Sequence, residues 1–309
     1  MATPSAQVTH FILRRLHSLT GIVPIGVFLL AHLTTNSSLL WGRFALRGKG
    51  EGLGLSEGGV KYFQHEVTWI NNEVPHLFLI EVTLWVAIAF HSILGLYYAT
   101  TGKNNTNRYA YQDNWRYTLQ RWSGYLGIVF IFYHIATLRW GWDFLIPGGT
   151  KWSHDFSAST LAAALRGSTE GWTVAGVLVS LLYFTGVSML IFHFANGLWT
   201  AAISWGLTVT EKAQKRWGIV CAGLGVALMG MGWASLGGAL IINYDEAHIV
   251  ERDFYLESHD QADYEAIVED KKLKVPGRDA APEDAMPEAP AEDDTAAADE
   301  PTESVAAGG

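Results

Sequence analysis

The sequence predicts an all-α membrane protein, a bundle of five transmembrane helices followed by an acidic, mostly disordered tail. The chain has 309 residues, 49% hydrophobic and 17% charged, and its apolar residues are concentrated in five long runs. The charge is also divided, because 16 Lys and Arg against 10 Asp and Glu precede Asn243, whereas 5 against 20 follow it. An ordinary soluble domain shows neither feature.

Each apolar run is long enough to cross the hydrocarbon core of a bilayer, which takes about 20 helical residues. Trp or Tyr lies near most of the ends, where amphipathic rings favour the headgroup level. We expect the first run to be a retained helix, because no small-residue cleavage site of a signal peptide follows it. The predicted spans are 11–35, 76–100, 122–142, 172–200 and 217–242.

Basic residues indicate the orientation of the bundle. On one side of the membrane they are concentrated in short connections: Arg14, Arg15, Lys103, Arg108, Arg116, Arg121, Lys212, Lys215 and Arg216. On the other side they are diluted over two longer loops. By the positive-inside tendency, we expect the N-terminus in the cytoplasm of a bacterial cell and the C-terminal tail across its cytoplasmic membrane.

The composition changes after residue 244, so we divide the chain into a membrane domain, 1–244, and a tail, 245–309. From Pro276 the sequence is a mixture of Ala, Pro, Asp and Glu that buries too little apolar surface to fold. We expect a short surface helix within 246–273 and disorder beyond it. The tail is interpreted as a solvated extension, with binding to a basic protein as the alternative; nucleic acid is not an expected partner.

The ionisable residues inside the spans are few, and four are histidines, one in each of the first four spans: His32, His91, His134 and His193. An ionisable group inside the bilayer is costly, so each is a candidate functional residue. A single such histidine would more simply be a hydrogen-bonded core residue. One in each of four helices favours a shared role.

Helix rise places these histidines at two depths. His32 and His134 lie about 26 and 20 Å from the cytoplasmic interface, whereas His91 and His193 lie about 22 and 31 Å from the opposite one. Two facing imidazoles suit the axial positions of a six-coordinate haem iron, which transfers electrons. Zinc or copper would gather three or four ligands at one depth. The single cysteine excludes an iron–sulfur cluster held by this chain alone.

Three stretches of the sequence indicate a resemblance to a known family. The chain resembles the dihaem cytochrome b membrane-anchor subunit of succinate dehydrogenase and fumarate reductase, in its five-helix form, over FILRRLHSLTGIVPIGVFLLAHLTTN, LQRWSGYLGIVFIFYHI and FHFANGLWTAAISWGLT. The resemblance covers about residues 8–242. It implies two haem b groups, a proximal one between His91 and His193 and a distal one between His32 and His134, the same pairs that depth suggests.

The resemblance also implies partners and a substrate. Succinate chemistry would take place on a partner flavoprotein, and electrons would pass through a partner iron–sulfur subunit to the haems and then to quinone, with menaquinone favoured. This chain would hold neither flavin nor iron–sulfur cluster. The quinone site is expected near the distal haem with a carboxylate that passes protons, and the candidates are Glu66, Glu73 and Glu81. Glu81 is the only carboxylate well inside a predicted span.

Two other functions fit the same histidines. One is a haem anchor for a different quinone-linked enzyme, such as a hydrogenase or a formate dehydrogenase. The other is a haem-free transporter in which His and Glu relay protons. The sequence does not fix whether succinate is oxidised or fumarate reduced.

Overall fold

The computed structural model describes residues 4–46, 54–102 and 114–277, and within them the chain forms ten α-helices and no strand. A single π-helical turn, Leu55–Gly59, precedes α3, and a short 3-10 turn, Asp143–Leu145, follows α5. The helices are α1 (Pro4–Ile22), α2 (Pro24–Ala45), α3 (Val60–Glu73), α4 (Leu77–Thr101), α5 (Asn114–Leu138), α6 (Ser157–Arg166), α7 (Val174–Ser204), α8 (Glu211–Ile241), α9 (Tyr244–Leu256) and α10 (Gln261–Lys271).

Four helical segments of the described chain are long and apolar enough to cross a membrane. They are Gln7–Ala45, which joins α1 and α2, and the helices α4, α7 and α8. These segments correspond to four of the five predicted spans. The predicted span 122–142 lies mostly in α5, a helix of 25 residues that is less apolar than the other long helices of the bundle. The number of five spans therefore stays a prediction.

A proline interrupts the first long segment without ending it. Pro24 has no backbone N–H, so the carbonyl group one turn earlier loses its helical partner. The hydrogen bonds from Val23 N to Leu19 O (2.9 Å) and from Val27 N to Val23 O (3.2 Å) carry the helix across the interruption. The first predicted span, 11–35, thus lies in two consecutive helices, α1 and α2.

The long helices pack through small residues and leave apolar side chains on the outside. Leu33, Ile191 and Leu228 form a buried cluster between α2, α7 and α8. At Gly232 an added Cβ would lie 2.7 Å from Val187, so a side chain there would hold the helices apart. Val226 on the outer surface is 75% exposed, as expected for a face that contacts lipid tails.

One end of the bundle carries a group of short helices, α3, α6, α9 and α10, which we call the cap. Gln64 on α3 joins its parts, because its side chain donates to His154 O (2.7 Å) and accepts from Ser157 Oγ (2.7 Å). Phe156, at the start of α6, is completely buried against Tyr264 and Val268 of α10. The start of α6 and α10 thus share a small core of their own, whereas the other buried apolar side chains of α3, α6 and α9 belong to the same core as the bundle helices.

The predicted tail contributes two helices to this cap. The sequence suggested one short surface helix within 246–273, whereas the structure has α9 and α10, both with buried side chains. Residues 1–276 form one compact unit. The division of the chain at residue 244 and the disorder of its far end stay predictions, because 278–309 lie outside the described residues, as do the connections 47–53 and 103–113 with their basic residues.

Candidate functional site

The four span histidines lie on α2, α4, α5 and α7 and meet as two pairs. The ring centroids of His91 and His193 are 6.1 Å apart, with the ring planes at 82°. Those of His32 and His134 are 5.8 Å apart, with the planes at 84°. These are the pairs that the depth argument suggests, with the second pair nearer the cap. Their role as iron ligands stays a prediction.

The spacing of each pair fits an iron atom between two imidazoles. A metal–imidazole nitrogen bond of about 2 Å on both sides separates the ring centroids by about 6 Å. Among the described residues, no group of three or more His, Cys, Asp or Glu side chains is arranged to hold a metal ion. The geometry therefore matches the two axial positions of a haem iron better than a site with three or four protein ligands.

Backbone carbonyl groups orient the pair farther from the cap. Nδ1 of His91 lies 2.9 Å from His17 O, and Nδ1 of His193 lies 3.1 Å from Gln120 O. Nδ1 of His193 also lies 3.2 Å from Gln120 Nε2 and 3.2 Å from Ser123 Oγ. A carbonyl oxygen only accepts, so a ring that donates its Nδ1 proton to it keeps the Nε2 lone pair free. This is how proteins usually prepare a histidine for a metal.

Sequence reasoning missed the polar network behind His193. Gln120 Oε1 accepts from Asn196 Nδ2 (2.8 Å), and Asn196 Oδ1 accepts from Arg116 Nε (2.9 Å). The guanidinium of Arg116 also lies 3.9 Å from the Trp199 ring centroid. The network ties α5 to α7 beside the histidine. Asn196, three residues after the predicted ligand His193, was the available signal in the sequence, whereas Gln120 lies far along the chain from His193.

The pair nearer the cap is surrounded by aromatic rings. Nδ1 of His134 lies 3.3 Å from Tyr183 Oη, and the Phe130 ring lies 5.8 Å from the His134 ring. The Phe28 ring stacks with His32 at 5.2 Å. Nδ1 of His32 lies 3.4 Å from the Asn36 amide nitrogen. Each histidine of this pair thus has one long polar contact through Nδ1, His134 with Tyr183 and His32 with Asn36.

Glycines bring helix backbone against the histidine rings. An added Cβ at Gly21 would lie 2.5 Å from Cε1 of His91, and one at Gly124 would lie 3.2 Å from Cε1 of His193. Any side chain at Gly21 would push the His91 ring aside. Such side-chain-free surfaces beside the rings fit the flat macrocycle that two axial histidines require.

A fifth histidine adjoins the first pair. The His17 ring stacks on the His91 ring at 4.1 Å, with the planes at 13°. Its Nδ1 is buried without a hydrogen-bond partner among the described residues. We predict no axial role for His17, and its carbonyl group already serves His91.

The three candidate carboxylates lie apart from one another. Glu81 on α4 forms a bidentate ion pair with Arg139 just after α5, with Nε–Oε1 at 3.1 Å and Nη2–Oε2 at 3.0 Å. Glu66 and Glu73 belong to α3 in the cap, where Glu73 is exposed at the helix end. Glu81 is thus the candidate on a bundle helix. The sequence did not identify Arg139 as its partner.

One comparison with known proteins bears on this site. The chain is similar to the succinate dehydrogenase cytochrome b558 subunit of Bacillus subtilis (strain 168), with 31% identity over 207 residues. The alignment covers 66% of this chain and 85% of that protein. No family model matches the chain, and no solved structure matches it.

Proposed function

Because the chain belongs to the family of succinate dehydrogenase cytochrome b subunits, we propose that it anchors such an enzyme to a bacterial membrane and passes electrons through two haem b groups to quinone. The observation that carries the proposal is the meeting of four histidines as two separate pairs. The relative's name does not favour a hydrogenase or formate dehydrogenase anchor, nor a transporter.

In this proposal α5 is the fifth span, because it supplies His134 to one pair and Gln120 to the support of the other. The N-terminus lies in the cytoplasm and the cap on the opposite side. The partner flavoprotein and iron–sulfur subunits then bind at the end remote from the cap. His91 and His193 are nearer to those partners.

Each histidine has a defined task. His91 and His193 would hold the proximal haem and His32 and His134 the distal one. Haem iron with two histidine ligands supplies one-electron transfer and leaves no position for oxygen. The carbonyl groups of His17 and Gln120 retain the Nδ1 protons, so that the Nε2 atoms of the proximal pair stay available as ligands.

We assign proton exchange with menaquinone to Glu81. Its carboxylate lies at the cap end of α4, on the same helix as His91. Arg139 binds both carboxylate oxygens by its two hydrogen bonds, which holds the carboxylate in one orientation. Glu66 and Glu73, in the cap, are the weaker candidates.

Replacement of each histidine tests the haem assignment. The purified complex is titrated by optical and EPR spectroscopy in variants with Met at position 32, 91, 134 or 193, because Met can replace His as an axial ligand and raises the potential. We expect two haems in the parent chain. His91→Met and His193→Met should alter the potential of one haem, and His32→Met and His134→Met should alter the potential of the other.

His259→Met is the matched control, since His259 is exposed in the cap and should leave both haem signals unchanged. A single haem in the parent chain, or the same haem altered by His32→Met and His91→Met, would contradict the assignment. Whole-chain helix content by circular dichroism separates a lost ligand from a failure to fold.

A further inference from the structure

A polar cavity of about 220 Å³ opens where the cap meets the bundle. This volume is more than about ten times the cavity volume that one ordered water molecule requires. Three segments form it: the end of α5, the loop before α6 and the last turn of α10. The lining includes Arg139, Trp140, Lys151, Trp152, Asp270 and Lys271.

The charges on this cavity favour an anion. Three cationic side chains line it, against the single carboxylate of Asp270, which pairs with Lys271 at 2.9 Å. Lys151 acts electrostatically on Asp143 and Asp270, and within the described chain its ammonium group forms no ion pair with a carboxylate. Lys151 is therefore the cation most available to a ligand.

The backbone holds the two lysines together. Lys151 N donates to Lys271 O at 3.2 Å, so the loop and the end of α10 have a fixed relation. Arg139 uses Nε and Nη2 for Glu81. A guanidinium group has five N–H donors, so Nη1 is not consumed by that ion pair. The cavity thus presents ammonium and guanidinium donors from three segments.

Aromatic rings place the cavity at the membrane surface. Trp140 lines it and also stacks on Trp85 of α4 at 5.6 Å. Beside Trp140, the rings of Trp142 and Phe144 are exposed, by 38% and 77%. Exposed rings of this kind lie at the headgroup level of a bilayer. An occupant with a phosphate in the cavity could therefore extend acyl chains along the outside of α4 and α5.

We propose that this cavity binds the phosphate headgroup of an anionic phospholipid in the leaflet at the cap end. The shared chemistry is a phosphate ester held by Lys151, Lys271 and Arg139, and the aromatic rim assigns it to a lipid rather than to a free phosphate. The site is separate from the histidine pairs, so it stands without the proposed haems.

Lipid retention by the full chain in its complex tests the site. The complex is delipidated, reconstituted in nanodiscs of phosphatidylcholine with a minor fraction of phosphatidylglycerol, and re-extracted, and the bound lipid is identified by native mass spectrometry. We expect one retained phosphatidylglycerol for each chain. Removing two cations by the double variant Lys151→Gln and Lys271→Gln should weaken its binding about 30-fold.

The matched control is the double variant Arg252→Gln and Lys274→Gln. It removes the same charge from the cap, but neither residue lines the cavity, so retention should equal that of the parent chain. Equal retention by the Lys151 and Lys271 variant with unchanged helix content would overturn the proposal. So would equal retention of phosphatidylcholine, or displacement of the lipid by glycerol phosphate at equal concentration.

Discussion

At the scale of single residues, the geometry around His91 depends on the absence of a side chain at Gly21. The imidazole lies against the α1 backbone, stacked on His17 and bonded through Nδ1 to the carbonyl group of His17. These contacts all come from α1, whereas His91 itself lies on α4. The orientation of the ring is thus set by its neighbours and not by its own helix.

We expect Gly21→Ala to disturb only the haem assigned to His91 and His193. The new Cβ would lie 2.5 Å from Cε1 of His91, so the ring must move, while Ala itself favours the helix. A displaced ligand and its lost hydrogen bond should lower occupancy of that haem about tenfold. The measurement is the low-spin EPR signal of each haem.

Gly223→Ala in α8 is the control, because an added Cβ there would have nothing within 4 Å. It should leave both signals at the parent intensity. An unchanged proximal signal in Gly21→Ala, with two haems present, would show that the position of the His91 ring does not matter for ligation.

At the scale of elements, polar side chains hold the cap together, because they form hydrogen bonds with backbone groups at the ends of its helices. Glu251 on α9 is completely buried, and its carboxylate accepts from Ala158 N at 2.6 Å and from the Ser159 hydroxyl group. It thereby caps the first turn of α6, where backbone N–H groups lack helical partners. Arg166 donates to the carbonyl groups of Leu240 and Ile242, and so ties the other end of α6 to the end of α8.

The titration of Glu251 should make the stability of the cap depend on pH. Burial raises the pKa of Glu251 to about 8, and the hydrogen bonds from Ser159 and Ala158 oppose that rise. In the unfolded chain the carboxyl ionises near 4.3, so between these values the folded cap holds one more proton than the unfolded cap. Stability then falls as pH rises, by up to about 1.4 kcal/mol per pH unit, and levels off above about 8.

Burial lowers the pKa of His248 to about 4, which gives the opposite slope below about pH 6.5. Above about pH 7.5 His248 is neutral in both the folded and the unfolded chain, so the slope between about pH 7.5 and 8 reports mainly on Glu251. Hydrogen exchange of the α6 amides, corrected for the intrinsic effect of pH, measures the slope. Glu251→Gln should remove it, and Glu246→Gln, an exposed position on the same helix, should keep it. Equal slopes in both variants would contradict the assignment to Glu251.

At the scale of the whole molecule, the sequence predicted the parts that depend on local spacing. The pairs formed by His32, His91, His134 and His193 follow from a constant helix rise along apolar runs. The cap could not be predicted in this way, because its contacts join residues far apart in the chain, such as Gln64 with Ser157 and Glu251 with Ser159. The ion pair of Glu81 with Arg139 also joins residues far apart in the chain, so it could not be predicted from local spacing either.

Two truncations should distinguish the cap from the acidic end of the chain. Residues 1–276 form a compact unit, so a chain that ends at Pro276 should assemble with both haems and the parent thermal stability. A chain that ends at Asn243 loses α9 and α10, which uncovers Phe156 and leaves the start of α6 without the Glu251 carboxylate. We expect it to unfold at a temperature lower by several degrees, as a loss of a few kcal/mol implies. Thermal unfolding of the two purified complexes, followed by haem absorbance, makes the comparison, and equal midpoints would show that the cap does not stabilise the bundle.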